Sequence, residues 1–156
     1  MTLKQGDKAP EIKLPDQDAK VHKLSDYKGE WVLVYFYPKD DTPGCTKEAC
    51  AIRDDFDYFD KLKIKVLGIS ADSVKSHKKF AEKYELPFTL LADEEKKTVN
   101  DYGVWAEKKF MGRKYMGILR SSFLIDPKGK IAKVYENVKP AEHALQVIED
   151  LKGLTK

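Results

Sequence analysis

Trp31-Val-Leu-Val-Tyr-Phe-Tyr37 is an unbroken run of apolar, β-branched and aromatic residues closed by Pro38. A strand with no polar side has both faces covered, so the run predicts the centre of a sheet packed between two layers. It is far too short to cross a bilayer, which takes roughly 20 such residues. A helix start follows at once, with Thr42 suited to the cap and Pro43 to the first helical position.

From there strands and helices alternate. Cys45, Ala49, Ile52, Phe56 and Phe59 recur at steps of four and three and predict one apolar helical stripe. Ile64–Ser70 reads as a second buried strand. Val74, His77, Phe80, Ala81 and Tyr84 read as a second helix ending before Pro87, Phe88–Leu91 as a short strand, and Glu94–Tyr102 as a short helix. Ser121–Asp126 and Lys130–Tyr135 flank the turn sequence Asp126-Pro-Lys-Gly129 and predict a hairpin. The last helix is expected over Pro140–Lys152, with Ala141, Ala144, Leu145, Ile148 and Leu151 inward and Gly153 as its stop. The first 30 residues read as an irregular lead-in with a small hairpin around Val21–Leu24. Parallel crossovers followed by an antiparallel hairpin predict an α/β chain of thioredoxin-like fold, a mixed central sheet flanked by helices, with an N-terminal extension.

The chain has 156 residues and no Gly/Ser-rich linker or repeat, so one domain, 1–156, is expected. With 42% hydrophobic residues it can build a core. Its 29 basic and 26 acidic side chains leave a net charge of only +3, which points to neither a nucleic-acid nor a membrane partner. The start, Met1-Thr-Leu-Lys-Gln-Gly-Asp7, has no signal-peptide character, and a cytoplasmic location is expected. In a reducing compartment a static structural disulfide is disfavoured, so the two cysteines, Cys45 and Cys50, ask for a chemical explanation.

Cys45 falls in the first turn of the helix that follows the central strand. The carboxyl ends of such strands are where open α/β sheets place ligand sites. Free backbone N–H groups and the positive end of the helix dipole favour a thiolate there. Lowering a thiol pKa from about 8.5 to about 6 raises its ionised fraction at neutral pH roughly thirtyfold. The same position on an apolar stripe also suits a cysteine that only packs.

Cys50 lies five residues on. Along an intact helix that step is roughly 140° of rotation and 7.5 Å of rise, separating the Cα atoms by about 8–9 Å. A disulfide tolerates about 7 Å at most, so the two sulfurs can bond only if a turn unwinds. His22, His77 and His143 are scattered, none near the cysteine segment, and neither a Cys–His hydrolase nor a metal site has local support. His77 reads as a packed core histidine. Asp54, Asp55, Asp57 and Asp60 read as the exposed face of the cysteine helix. Lys108–Tyr115 reads as a solvated loop flanking the site rather than a nucleic-acid contact.

Pro38-x-x-x-Thr42-x-x-Cys45 resembles the signature of the peroxiredoxins. The string Thr42-Pro-Gly-Cys-Thr46 with Cys50 beyond it is similar to the Q-type branch, the bacterioferritin comigratory proteins. The likeness runs through Gly6-Asp-Lys-Ala-Pro10, Leu67-Gly-Ile-Ser70, Gly103-Val-Trp105, Phe110-Met-Gly112 and Arg120-Ser-Ser-Phe-Leu-Ile-Asp126. It implies a thiol-dependent peroxidase of antioxidant defence, reducing hydrogen peroxide and organic hydroperoxides with no cofactor or metal. Cys45 would be the peroxidatic cysteine that becomes a sulfenic acid. Thr42 would hydrogen-bond thiolate and peroxide, Pro38 would shield the pocket, and the Gly44 and Cys45 amides would complete a polar cradle. Arg120, one of only three arginines with Arg53 and Arg113, would be the fixed cation beside the thiolate. Cys50 would resolve the sulfenic acid into a Cys45–Cys50 disulfide, recycled by thioredoxin or a similar dithiol protein. A resolving cysteine in the same chain makes a monomer the expected state. A general dithiol oxidoreductase would want C-x-x-C spacing. A redox sensor or holdase would oxidise slowly where a peroxidase turns over.

Overall fold

The computed structural model describes residues 3–154. Met1 and Thr2, which open the segment read for targeting signals, lie outside the described residues, as do Thr155 and Lys156 at the end of the expected domain.

The lead-in hairpin is real and antiparallel, β1 (Lys13–Pro15) with β2 (Val21–Lys23). The apolar run forms β3 (Trp31–Phe36), and α1 (Pro43–Asp54), α2 (Phe56–Lys61), β4 (Ile64–Ser70), α3 (Val74–Lys83) and β5 (Thr89–Ala92) follow. After α4 (Lys97–Asp101) comes an antiparallel pair, β6 (Trp105–Phe110) with β7 (Arg113–Ile118). Then β8 (Ser121–Ile125), β9 (Ile131–Tyr135) and α5 (His143–Leu154) complete the chain. The main sheet runs β5-β4-β3-β8-β9, with β3, β4 and β5 parallel, β8 antiparallel to β3, and β9 antiparallel to β8. This is the mixed sheet the alternation predicted, with β3 at its centre.

Side chains alternate across β3, which is why its whole run is apolar. Leu33, Tyr35 and Tyr37 enter one core with Cys45, Ala49 and Ile52 of α1, Phe59, Phe80 and the inner side of α5. Val32, Val34 and Phe36 enter the other, with Ile12, Leu67, Ile69, Val99, Tyr102 and Phe123. Tyr35 lies across its β4 partner Gly68, where a Cβ would stand 2.7 Å from the ring carbon bearing the hydroxyl. Only glycine leaves room for that ring.

Four expectations need correction. The cysteine helix does not run unbroken to Phe59: it stops at Asp54, and α2 restarts after Asp55. The predicted 94–102 helix is only the five residues of α4. In α5, Ala141 precedes the helix and Leu145 is 58% exposed; the buried side is His143, Ala144, Val147, Ile148 and Leu151. Burial of His143 against Ser122 Oγ, 2.7 Å away, sets that register, and Gly153 lies inside the helix rather than stopping it. Lastly, Lys108–Tyr115 is no loop but the tip of the β6–β7 hairpin, whose turn residues Met111 (φ 51°) and Gly112 (φ 79°) both take the left-handed conformation.

Candidate active site

The site assembles where β3 ends. Tyr37 makes the last parallel-sheet link by donating its amide to the Ile69 carbonyl, and the chain then crosses 38–42 to enter α1. That crossing is stitched to α3 and its approach. The Asp40 carboxylate accepts from Tyr37 Oη (2.6 Å) and Ser76 Oγ (2.8 Å) and pairs with His77 Nδ1 (2.7 Å). The Asp40 amide donates to Asp72 (2.8 Å), and Asp41 meets Lys83 Nζ and Tyr84 Oη, each at 2.8 Å. His77 is thus packed, as expected, but hydrogen-bonded to a buried carboxylate.

Asp40, Asp72 and His77 are the one metal-ligand grouping among the described residues. Their atoms are already satisfied: Ser70 Oγ donates to Asp72, and His77 Nε2 lies 2.9 Å from the Leu91 carbonyl. The cluster reads as a polar lock, not an ion site.

Pro43 occupies the first turn of α1 and Thr42 the cap position, as the sequence indicated. The Thr42 hydroxyl makes no cap bond; it donates to the Lys39 carbonyl at 2.8 Å. Its lone pairs and the first-turn amides of Gly44 and Cys45 remain at the helix mouth. Cys45 is 1% exposed and Cys50, on the same unbroken helix, is half-buried; both are free thiols. Pro38 is half-buried in the crossing segment.

Arg120 arrives from the β7–β8 junction. Its Nη2 donates to Cys45 Sγ at 3.3 Å, and its Nη1 to Glu48 Oε1 at 2.8 Å. Burial works against the guanidinium charge, but Cys45 and Glu48 beside it hold its pKa above the ordinary value. Gly44 makes this approach possible, since a Cβ there would stand 2.9 Å from Nη2.

Glu48 was missed by the sequence reading. It is 1% exposed, and burial pushes its pKa up to about 7 against the pull of Arg120. The available signal was an acid three residues after Cys45, on the same side of the helix as the apolar stripe. Among the described residues its Oε2 has no hydrogen-bond partner, and neither has Tyr35 Oη. Tyr35 is held far from ionisation by burial and by the charges of Glu48 and Cys45.

The arrangement can stabilise one sulfur anion and an oxygen bearing developing charge next to it. A planar donor fixed by a buried carboxylate meets the sulfur from one side, and a helix start meets it from the other.

Residues 5–134 match the AhpC/TSA family. The chain is 46% identical to Peroxiredoxin Bcp of Bacillus subtilis, covering 100% of this chain and 99% of that one. It is 51% identical to Peroxiredoxin Bcp of Escherichia coli over 96% of each. Among solved structures, the bacterioferritin comigratory protein of Xanthomonas campestris, described for its alkyl peroxide reduction activity, superposes with a TM-score of 0.88. It shares 37% identity, over 93% of this chain and 92% of that one.

Proposed function

The chain belongs to the AhpC/TSA family as a peroxiredoxin of the Bcp kind, and from that membership we propose how its own residues divide the work of a thiol peroxidase. The Cys45 thiolate attacks one oxygen of the peroxide. An S–O bond forms as the O–O bond breaks, and the other oxygen leaves as water or alcohol with the substrate's proton. Sulfur is left as the sulfenate, which takes one proton from solvent to become the sulfenic acid, and the peroxide is reduced.

Arg120 orients the peroxide and offsets the charge on the departing oxygen, while Glu48 fixes the plane of the guanidinium. Thr42, its proton given to Lys39, accepts from the peroxide O–H. The Gly44 and Cys45 amides donate from the helix start, and Pro38 limits water at the mouth. The observation that carries this reading is the double grip of one guanidinium on Cys45 and Glu48.

Cys50 then attacks the sulfenic sulfur and water leaves. The S–S bond closes once the turn between the two cysteines unwinds, since helical spacing keeps them too far apart. A thioredoxin-like dithiol returns two electrons and two protons. The substrates proposed are hydrogen peroxide and organic hydroperoxides, and the protein works without a cofactor as a cytoplasmic, single-domain monomer. No helix among the described residues is long and apolar enough to cross a membrane.

The test is to titrate the reduced protein with one equivalent of peroxide and map the product by mass spectrometry. Loss of two thiols with a Cys45–Cys50 crosslink, reversed by reduced thioredoxin, is expected. Oxidation that spares Cys45 would overturn the assignment.

A further inference from the structure

The strongest unassigned feature near the site is Lys108 on β6, and its reading rests on Cys45 being the reacting thiolate. Three other hairpin cations, Lys109, Arg113 and Lys114, are exposed; Lys108 is half-buried. Its ammonium donates to the Ile118 carbonyl at 3.0 Å. Ile118 ends β7, two residues before Arg120, so this bond ties β6 to the segment that presents the guanidinium.

The stem reaches that carbonyl by crossing Gly117. Pairing sets Lys108 opposite Tyr115 and Ala106 opposite Gly117, which puts Lys108, Tyr115 and Gly117 on one face. A Cβ at Gly117 would stand 3.0 Å from Lys108 Cδ and 3.3 Å from Tyr115 Cε2. The backbone at Gly117 is not in the left-handed region, so it is the missing side chain, not backbone freedom, that the site uses.

We propose that Lys108 is a positioning residue of the peroxide site, holding the β7–β8 junction in place for Arg120 and adding a second fixed positive charge to the surroundings of Cys45. The electrostatics agree: burial lowers the Lys108 pKa, the Arg120 charge lowers it further, and Cys45 opposes both. With Cys45 and Glu48 ionised, two anions meet two cations. Sulfenic acid formation removes one anion, leaving Glu48, paired with Arg120, as the one carboxylate opposing the two cations.

The test compares wild type, Lys108→Met, Lys108→Arg and Gly117→Ala by stopped-flow reaction with hydrogen peroxide across pH, with thermal unfolding as the folding control. The wild-type rate is the check on the parent reading: if wild-type Cys45 does not react, that reading fails first. Given a reactive wild type, Lys108→Met should be about tenfold slower at pH 7, as loss of one nearby unscreened charge implies. The deficit should narrow as pH rises and the thiolate saturates, Lys108→Arg should recover most of the rate, and Gly117→Ala should fall between. A Lys108→Met protein with the wild-type rate and pH profile overturns the proposal. So does a deficit constant with pH that arginine does not rescue, or a loss that merely follows unfolding in both Lys108 variants.

Discussion

Arg120 Nη2 and Cys45 Sγ stand 3.3 Å apart, although 75 residues separate them along the chain. The second nitrogen of the same guanidinium lies 2.8 Å from Glu48, so one planar group is held at both ends. An ammonium cannot span that pair. Arg120→Lys should therefore lower the rate of Cys45 with peroxide by about 10²–10³-fold, the usual cost of losing an oriented donor at developing charge. Competition kinetics would check it; a loss under threefold would show that charge alone suffices.

The Gly44→Ala substitution probes the same contact from the other side. The added methyl would stand 2.9 Å from Nη2 and 3.7 Å from Pro140 Cγ. Because the arginine end is flexible, the guanidinium yields rather than the fold. Peroxide reactivity should fall about tenfold or more with the melting temperature nearly unchanged. A large drop in melting temperature would instead mean that the backbone of α1 had moved.

The two cysteines separate by kinetics. Cys45→Ser should consume no peroxide. Cys50→Ser should consume one equivalent and then stall under thioredoxin recycling, because the sulfenic acid has no partner on α1. Steady turnover by Cys50→Ser at the wild-type rate would remove Cys50 from the cycle.

Glu48 and His143 give opposing pH dependences of stability. Burial raises Glu48 to about 7 from 4.5, so the folded state binds its proton more tightly, and stability declines as pH rises from about 4.5 to 7. Burial lowers His143 to about 4 from 6.5, so its contribution is complete above 6.5 and is lost as pH falls towards 4. Each slope is at most about 1.4 kcal/mol per pH unit, and they offset one another between about pH 4.5 and 6.5. Glu48→Gln should expose a rise of stability with pH in that window, and His143→Gln a decline. Urea denaturation at half-unit steps would show it; three parallel curves would contradict it.

The main sheet was legible because each strand carries its own pattern: β3 and β4 are apolar runs, and β8 and β9 flank an Asp-Pro-Lys-Gly turn. Cys45, Thr42 and Pro43 were legible because a local junction positions them. Elements whose form depends on partners outside their own run of residues were not. The tip of the β6–β7 hairpin is polar and exposed, and nothing in its composition separates it from a loop; pairing with its own return strand makes it regular. In α5, Leu145 and Val147 compete for the inner side, and the choice turns on a histidine buried against Ser122 of β8. Glu48 gains its partner only when Arg120 arrives from across the fold. The break at Asp55 leaves the Cys45–Phe59 stripe nearly in phase, so periodicity alone passes over it.

The anchoring of 38–42 to α3 and its approach has a kinetic consequence. Asp40 and Asp41 bind His77, Ser76, Lys83 and Tyr84, not α1, so loosening the turn around Cys45 leaves its upstream end pinned. Helices are slow to form chiefly because the first turn must be nucleated. Here Pro43 keeps a preset φ beside a clamped neighbour, and the far turns of α1 stay packed under the sheet. In the proposed cycle, recoiling after reduction is propagation from both ends rather than fresh nucleation, so the pocket around Cys45 resets without a conformational search.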